Sequence, residues 1–173
     1  MANKLKISMI LLQSLDGFIA KNQQDKLDWG SKTDKQNFKE KTIEIGTMIC
    51  GTNTYVHMPD FAFKNRKTYV LTSRPDELIQ RENVTLFTGS PSQLVQKILD
   101  DGITNVALVG GGHIYNSFLA ENLVDEIFIT IAPVAFGKGI HGFGENVLAN
   151  KFKLISMSKM GEDEIYLHYE VIE

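Results

Sequence analysis

The chain predicts an α/β protein built on a mostly parallel sheet with an antiparallel edge. Strand-like and helix-like stretches alternate as far as Ile131, and two extended runs close the chain, the second alternating as Ile165, Leu167, Tyr169 and Val171. A third observation predicts where a ligand would lie. The run Val109-Gly110-Gly111-Gly112-His113-Ile114-Tyr115 falls at a strand-to-helix corner, where missing side chains let a ligand approach the main chain.

Taken in order, Lys4 to Leu12 reads as a strand apolar enough to be buried on both faces. Ser14 to Gly30 reads as a loop. Thr33 is a plausible helix cap, with Asp34 in the first turn, Phe38, Ile43 and Ile45 on an apolar face, and Gly46 as the stop. Thr47 to Cys50, Lys67 to Thr72 and Val84 to Phe87 read as strands. Ser90-Pro91 opens a helix in the preferred order of cap then proline, with Leu94, Val95, Ile98 and Leu99 inward. Asn105 to Val109 reads as a strand, Gly112 to Ala120 as a helix and Asp125 to Ile131 as a strand. Phe152 to Met160 and Glu164 to Ile172 make the closing hairpin. In such a sheet ligands collect at the carboxyl ends of the strands. Asp34, Gly51 to Thr54, Thr72 to Arg74 and the glycine triplet all fall there.

A length of 173 residues with 43% hydrophobic and 23% charged residues implies one ordinary domain, spanning 1–173. A net charge of −3 with no basic run gives no electrostatic footprint for nucleic acid. The apolar run Ile7 to Leu12 is too short for a membrane span and lacks the marks of a signal peptide, so a cytoplasmic location is expected. Cys50, the single cysteine, lies in an apolar stretch and reads as a buried inert thiol. His57, His113, His141 and His168 show no metal-ligand spacing, so no metal site is expected.

Asp34 shares a helix face with Phe38 at i, i+4, five residues after the only tryptophan, Trp29. A carboxylate among aromatic groups suits a protonatable amino-heterocycle; at a helix start it is equally a group that stabilises the dipole. The glycine triplet likewise reads either as a phosphate cradle or as a plain turn.

The order of these pieces resembles the dihydrofolate reductase family over nearly the whole chain. Trp29, Asp34 and Phe38-Lys39 resemble its substrate segment, and Gly51-Thr52-Asn53-Thr54-Tyr55 its cofactor-phosphate loop. Arg66 to Ser73 is similar to the strand that opens with an arginine for a folate carboxylate and ends near the cofactor adenosine. Val109 to Tyr115 matches the glycine corner, including a cis bond in the glycine pair, and Phe128 to Ile131 resembles the strand whose threonine orients the acid. The resemblance implies a dihydrofolate-reductase-like fold with about eight strands in a mixed sheet. It also implies hydride transfer from NADPH to pterin C6 with protonation at N5, which produces tetrahydrofolate. Asp34, Thr130 and Trp29 would serve catalysis, and Asp34, Phe38, Arg66, Ile10 and Leu12 the substrate. Ile19, Gly51, Thr52, Asn53, Thr54, Leu71, Thr72, Ser73, Arg74, Val109, Gly110, Gly111, Gly112, His113, Ile114 and Tyr115 would bind cofactor. Antifolates such as methotrexate are implied as ligands, with the chain a monomer or a homodimer.

Departures from that pattern keep other readings open. Thr52 stands where the family usually shows arginine, which leaves NADPH against NADH open, and Arg74 or His113 sits where it could supply the charge. Ser14 to Ala20 and Pro133 to Gly139 resemble a sister branch, the riboflavin-biosynthesis pyrimidine reductases. A ribosylamino-pyrimidine phosphate is therefore the alternative substrate, for which Lys35 and Lys39 are the nearby basic residues. A non-catalytic ligand-binding protein on the same scaffold is the third reading.

Overall fold

The computed structural model describes residues 4–144 and 151–172. Ten strands and four α-helices run in the order β1 (Lys6–Gln13), β2 (Phe18–Ala20), α1 (Lys32–Ile45), β3 (Thr47–Gly51), α2 (Thr52–His57), β4 (Lys67–Leu71), β5 (Val84–Phe87), α3 (Pro91–Asp100), β6 (Asn105–Leu108), α4 (Gly112–Ala120), β7 (Glu126–Ile131), β8 (Ile140–His141), β9 (Lys151–Met160) and β10 (Glu164–Ile172). Eight of the strands form one mixed sheet in the order β5-β4-β3-β6-β1-β7-β10-β9. The six strands from β5 to β7 are parallel, and β10 and β9 pair antiparallel at one edge. β2 and β8 form a separate two-stranded ribbon.

Burial explains why these segments are strands. β1 lies between β6 and β7 with Ile7, Met9, Ile10 and Leu11 all buried, so its side chains serve both faces of the sheet. One face packs against α3 and α4 through Leu94, Ile98, Tyr115, Phe118 and Leu119. The other meets α1 and α2 through Phe38, Ile45 and Tyr55. Ser90 caps α3 with a reciprocal Gln93 bond to its own backbone, which satisfies two otherwise unpaired donors. Gly46 ends α1 in the left-handed region at φ 84°.

Four expectations need correction. The cap of α1 is Ser31, not Thr33, because the Ser31 hydroxyl accepts from the Asp34 amide at 2.9 Å. Ile43 is exposed, and the buried residues of α1 are Asp34 and Thr42, so its inward face is more polar than its pattern suggests. Residues 52–57, read as a loop, form α2. Within Ser14 to Gly30, read as a loop, Phe18–Ala20 form β2, which pairs with β8. Short strands and single-turn helices carry too few periods for sequence patterning to register. No helix among the described residues is long and apolar enough to cross a membrane.

Candidate functional site

A cleft of about 1410 Å³ opens across the carboxyl ends of the parallel strands. β1 contributes Ile10, Leu11 and Leu12, and β3 ends in it at Gly51. β4 delivers Leu71 followed by Thr72, Ser73 and Arg74, and β6 runs into Val109 to Tyr115. α1 lines the opposite side with Asp34, Lys35, Phe38 and Lys39, and Ile19 of β2 closes over it. The cleft thus gathers every site residue expected from sequence except two.

Those two are Trp29 and Thr130. Trp29 does not line the cleft. Its indole donates to Asp25 at 3.1 Å and its ring meets Phe136 edge-on at 5.1 Å, so it ties the 14–30 loop to the 133–139 loop. Thr130 lies behind the cleft wall, buried in β7, with its hydroxyl donating to Met160 Sδ at 3.9 Å and close enough to Asp34 to favour the ionised carboxylate.

The glycine corner is shaped by close approach. Gly110 adopts φ 115°, the Gly110–Gly111 peptide is cis, and the Gly110 carbonyl accepts from the Gly51 amide at 2.8 Å. A Cβ on Gly51 would stand 2.5 Å from Ile114 Cγ1, so only glycine lets the two segments meet. Tyr115 locks the corner from below, donating from its buried hydroxyl to the Ile10 carbonyl at 2.6 Å. Gly51 and Gly111 are the caps of α2 and α4, and neither supplies a side-chain cap. Thr52, at the arginine position, hydrogen-bonds Thr72 at 2.8 Å instead. Arg74 extends into solvent and pairs with Glu77 at 3.0 Å.

On the α1 side, Asp34 is only 8% exposed. Burial raises its pKa above the ordinary carboxylate value, and the negative charge of Glu164 adds to that. The Thr130 hydroxyl and the Lys35 charge act in the opposite direction. Arg66 is buried as well. One guanidinium nitrogen donates to Thr42 Oγ1 at 2.5 Å, its Nε has no hydrogen-bond partner, and no carboxylate among the described residues pairs with it. Desolvation lowers its pKa. A buried cation that lines a cleft without a counter-ion is arranged to receive an anion.

Several cleft residues escaped sequence reasoning. Val56 and Phe61 line it although they are exposed, as do Ile140 and His141 of β8. Glu164, which does not line the cleft but acts on Asp34 from behind it, escaped because it is distant in sequence and reads as the ordinary polar start of a strand. Cys50 is fully buried, its thiol pushed up to about 12 by desolvation, as an inert core thiol requires.

A mixed sheet of this order, with the cleft at the strand ends and a glycine corner after β6, defines the dihydrofolate-reductase-like class of α/β fold. Within it the chain belongs to the RibD C-terminal domain family, whose model matches residues 6–166. The uncharacterized protein YwjB of Bacillus subtilis is 29% identical over 95% of this chain and 97% of its own. Among solved structures, a Shewanella protein provisionally named for riboflavin biosynthesis aligns over 98% of this chain and all of its own, with TM-score 0.84 at 23% identity. A Thermotoga maritima deaminase and 5-amino-6-(5-phosphoribosylamino)uracil reductase aligns over 98% of this chain and 57% of its own, with TM-score 0.78 at 18% identity. The dihydrofolate reductase of Enterococcus faecalis, solved with NADP(H), matches with TM-score 0.74 at 24% identity over 97% of both chains. The likeness to dihydrofolate reductase is therefore one of fold, and the family shown is that of the RibD C-terminal domain.

Proposed function

We propose that the chain is an NADPH-dependent reductase that acts on a ribosylamino-pyrimidine phosphate. The observation that carries this reading is Arg66, a buried guanidinium without a counter-ion in the cleft wall. It complements a substrate with an anionic end. Lys35 and Lys39, which line the cleft one helical turn apart, add positive charge on the same side. Membership of the RibD C-terminal family and the pyrimidine reductase among its structural neighbours support the heterocycle.

The residues also fit the cofactor. The close approach of Gly51 to Ile114 leaves bare backbone along Gly110 to Gly112, and the uncapped starts of α2 and α4 leave amide donors for a pyrophosphate. Thr72, Ser73 and Arg74 would hold the adenosine end, with Arg74 in place of the arginine absent at Thr52. Bound there, NADPH supplies the hydride. Asp34 would grip the amino and ring N–H groups of the heterocycle and hold a proton beside it, in a wall that excludes water. Thr130 would orient that carboxyl.

A second reading, reduction of dihydrofolate, draws on one observation: Val56 and Phe61 line the cleft while 56% and 68% exposed. An apolar rim beside Arg66 suits an aryl group joined to a carboxylate. Loss of NADPH absorbance with purified protein separates the readings. We expect turnover of the pyrimidine phosphate and little of dihydrofolate. Turnover of dihydrofolate alone, with thermal stabilisation by methotrexate, establishes the second reading instead. Binding of NADPH with turnover of neither substrate supports the non-catalytic protein.

A further inference from the structure

The wall behind Asp34 holds a second carboxylate that the proposed chemistry leaves unused. Glu164 opens β10, is 3% exposed, and has no cation paired to it among the described residues. Both of its oxygens are engaged by one residue. The Ser31 amide donates to Oε1 at 3.0 Å and the Ser31 hydroxyl to Oε2 at 2.5 Å. That hydroxyl also accepts from the Asp34 amide at 2.9 Å. A continuous chain of hydrogen bonds therefore runs from Glu164 through Ser31 to the backbone of Asp34, and it ties the closing hairpin to the first turn of α1. A glutamate serving only as a helix anchor does not need burial beside another acid, since two neighbouring carboxylates oppose each other's ionisation.

We propose that Glu164 is a positioning residue for Asp34: through Ser31 it fixes the start of α1, and with it the Asp34 side chain, against β10. This rests on the reading of Asp34 as the group that faces the substrate, but the placement can be tested without substrate. The charged groups that act on Asp34 are Glu164 on β10 and Lys35 on α1, while Thr130 on β7 contributes a hydroxyl and the neutral Tyr166 hydroxyl of β10 lies within reach. Of these, Glu164 is the one carboxylate. Its contribution has the same sign as burial, because a like charge and desolvation both favour the neutral acid.

The test is the titration of the Asp34 carboxyl carbon by NMR in the full chain without ligands. In Glu164→Gln the amide keeps an acceptor for Ser31 and loses the charge, so the Asp34 midpoint is expected to fall. In Ser31→Ala the hydroxyl that joins Glu164 to the Asp34 amide is removed while the Glu164 charge stays, so the Asp34 carboxyl-carbon signal is expected to shift. That variant also serves if the glutamine variant does not fold. An unmoved midpoint in Glu164→Gln overturns the proposal, as does an unmoved Asp34 carboxyl-carbon signal in Ser31→Ala. Because no substrate enters the experiment, a wrong substrate assignment leaves its outcome intact. Where turnover is available, Glu164→Gln should move the basic limb of the kcat profile downward in pH more than it changes KM.

Discussion

Replacing Arg66 by methionine sets stability against binding, and the structure fixes the sign of each. The arginine is 5% exposed, makes one side-chain hydrogen bond to Thr42, and leaves Nε unpaired. An unmet buried donor costs about 1–3 kcal/mol, and a hydrogen bond to a charged group returns about 1.5–3 kcal/mol. Methionine has similar reach, needs no partner, and leaves Thr42 Oγ1 still donating to the Phe38 carbonyl at 2.7 Å. The free protein should therefore be as stable as the parent or more stable by up to about 2 kcal/mol, a rise in Tm of roughly 4–8 °C at the upper limit. Binding should move the other way. Loss of a charge-assisted contact of about 1.5–3 kcal/mol raises KM for the anionic substrate by roughly 10- to 150-fold, with KM for NADPH unchanged. Urea denaturation of the ligand-free protein and steady-state kinetics measure the two effects separately. A variant that loses more than about 1 kcal/mol of stability, or one that keeps its substrate KM, refutes the assignment of Arg66 as an anion receptor.

Asp34→Asn should stabilise the protein at neutral pH. The folded pKa of Asp34 is raised above the unfolded value of 3.8, so the folded state loses stability as pH rises from 3.8 through the folded pKa. The asparagine variant escapes that loss, and its advantage in thermal melts should vanish below the unfolded pKa. In the same variant turnover should fall by roughly 10²- to 10⁴-fold. Gly112→Ala would place a Cβ 2.9 Å from the His141 carbonyl. Because backbone must shift, it should cost about 1–3 kcal/mol and weaken NADPH binding as read by fluorescence titration. Tyr115→Phe leaves the Ile10 carbonyl unpaired in the core, so denaturant melts should record a loss of about 1–3 kcal/mol.

The parts of this fold legible in the sequence are those whose patterns are local. β1 and the α3 cap are read directly, because a doubly buried strand is uniformly apolar and Ser90-Pro91 is a strong start signal. The glycine corner is legible because bare backbone leaves its mark in composition. What failed is what depends on distant partners. Ser31 caps α1 instead of Thr33 because Glu164, far along the chain, holds Ser31 in place. Trp29 turns from the cleft because Phe136 offers its ring an edge and Asp25 offers its indole an acceptor. The burial of Arg66 was invisible within the charged run Lys64-Asn65-Arg66-Lys67.

The placement of β1 also bears on how the chain is made. It leaves the ribosome well before its two neighbours, β6 and β7, which end at Leu108 and Ile131. Its apolar side chains wait for pairing while on the order of a hundred further residues are synthesised, a delay on the order of ten seconds. During that interval Ile7 to Leu12 is an unpaired, water-exposed strand, the kind of segment that nucleates association between nascent chains. Yield of soluble protein should therefore depend on protection of this N-terminal segment during synthesis, more than on the stability of the finished sheet.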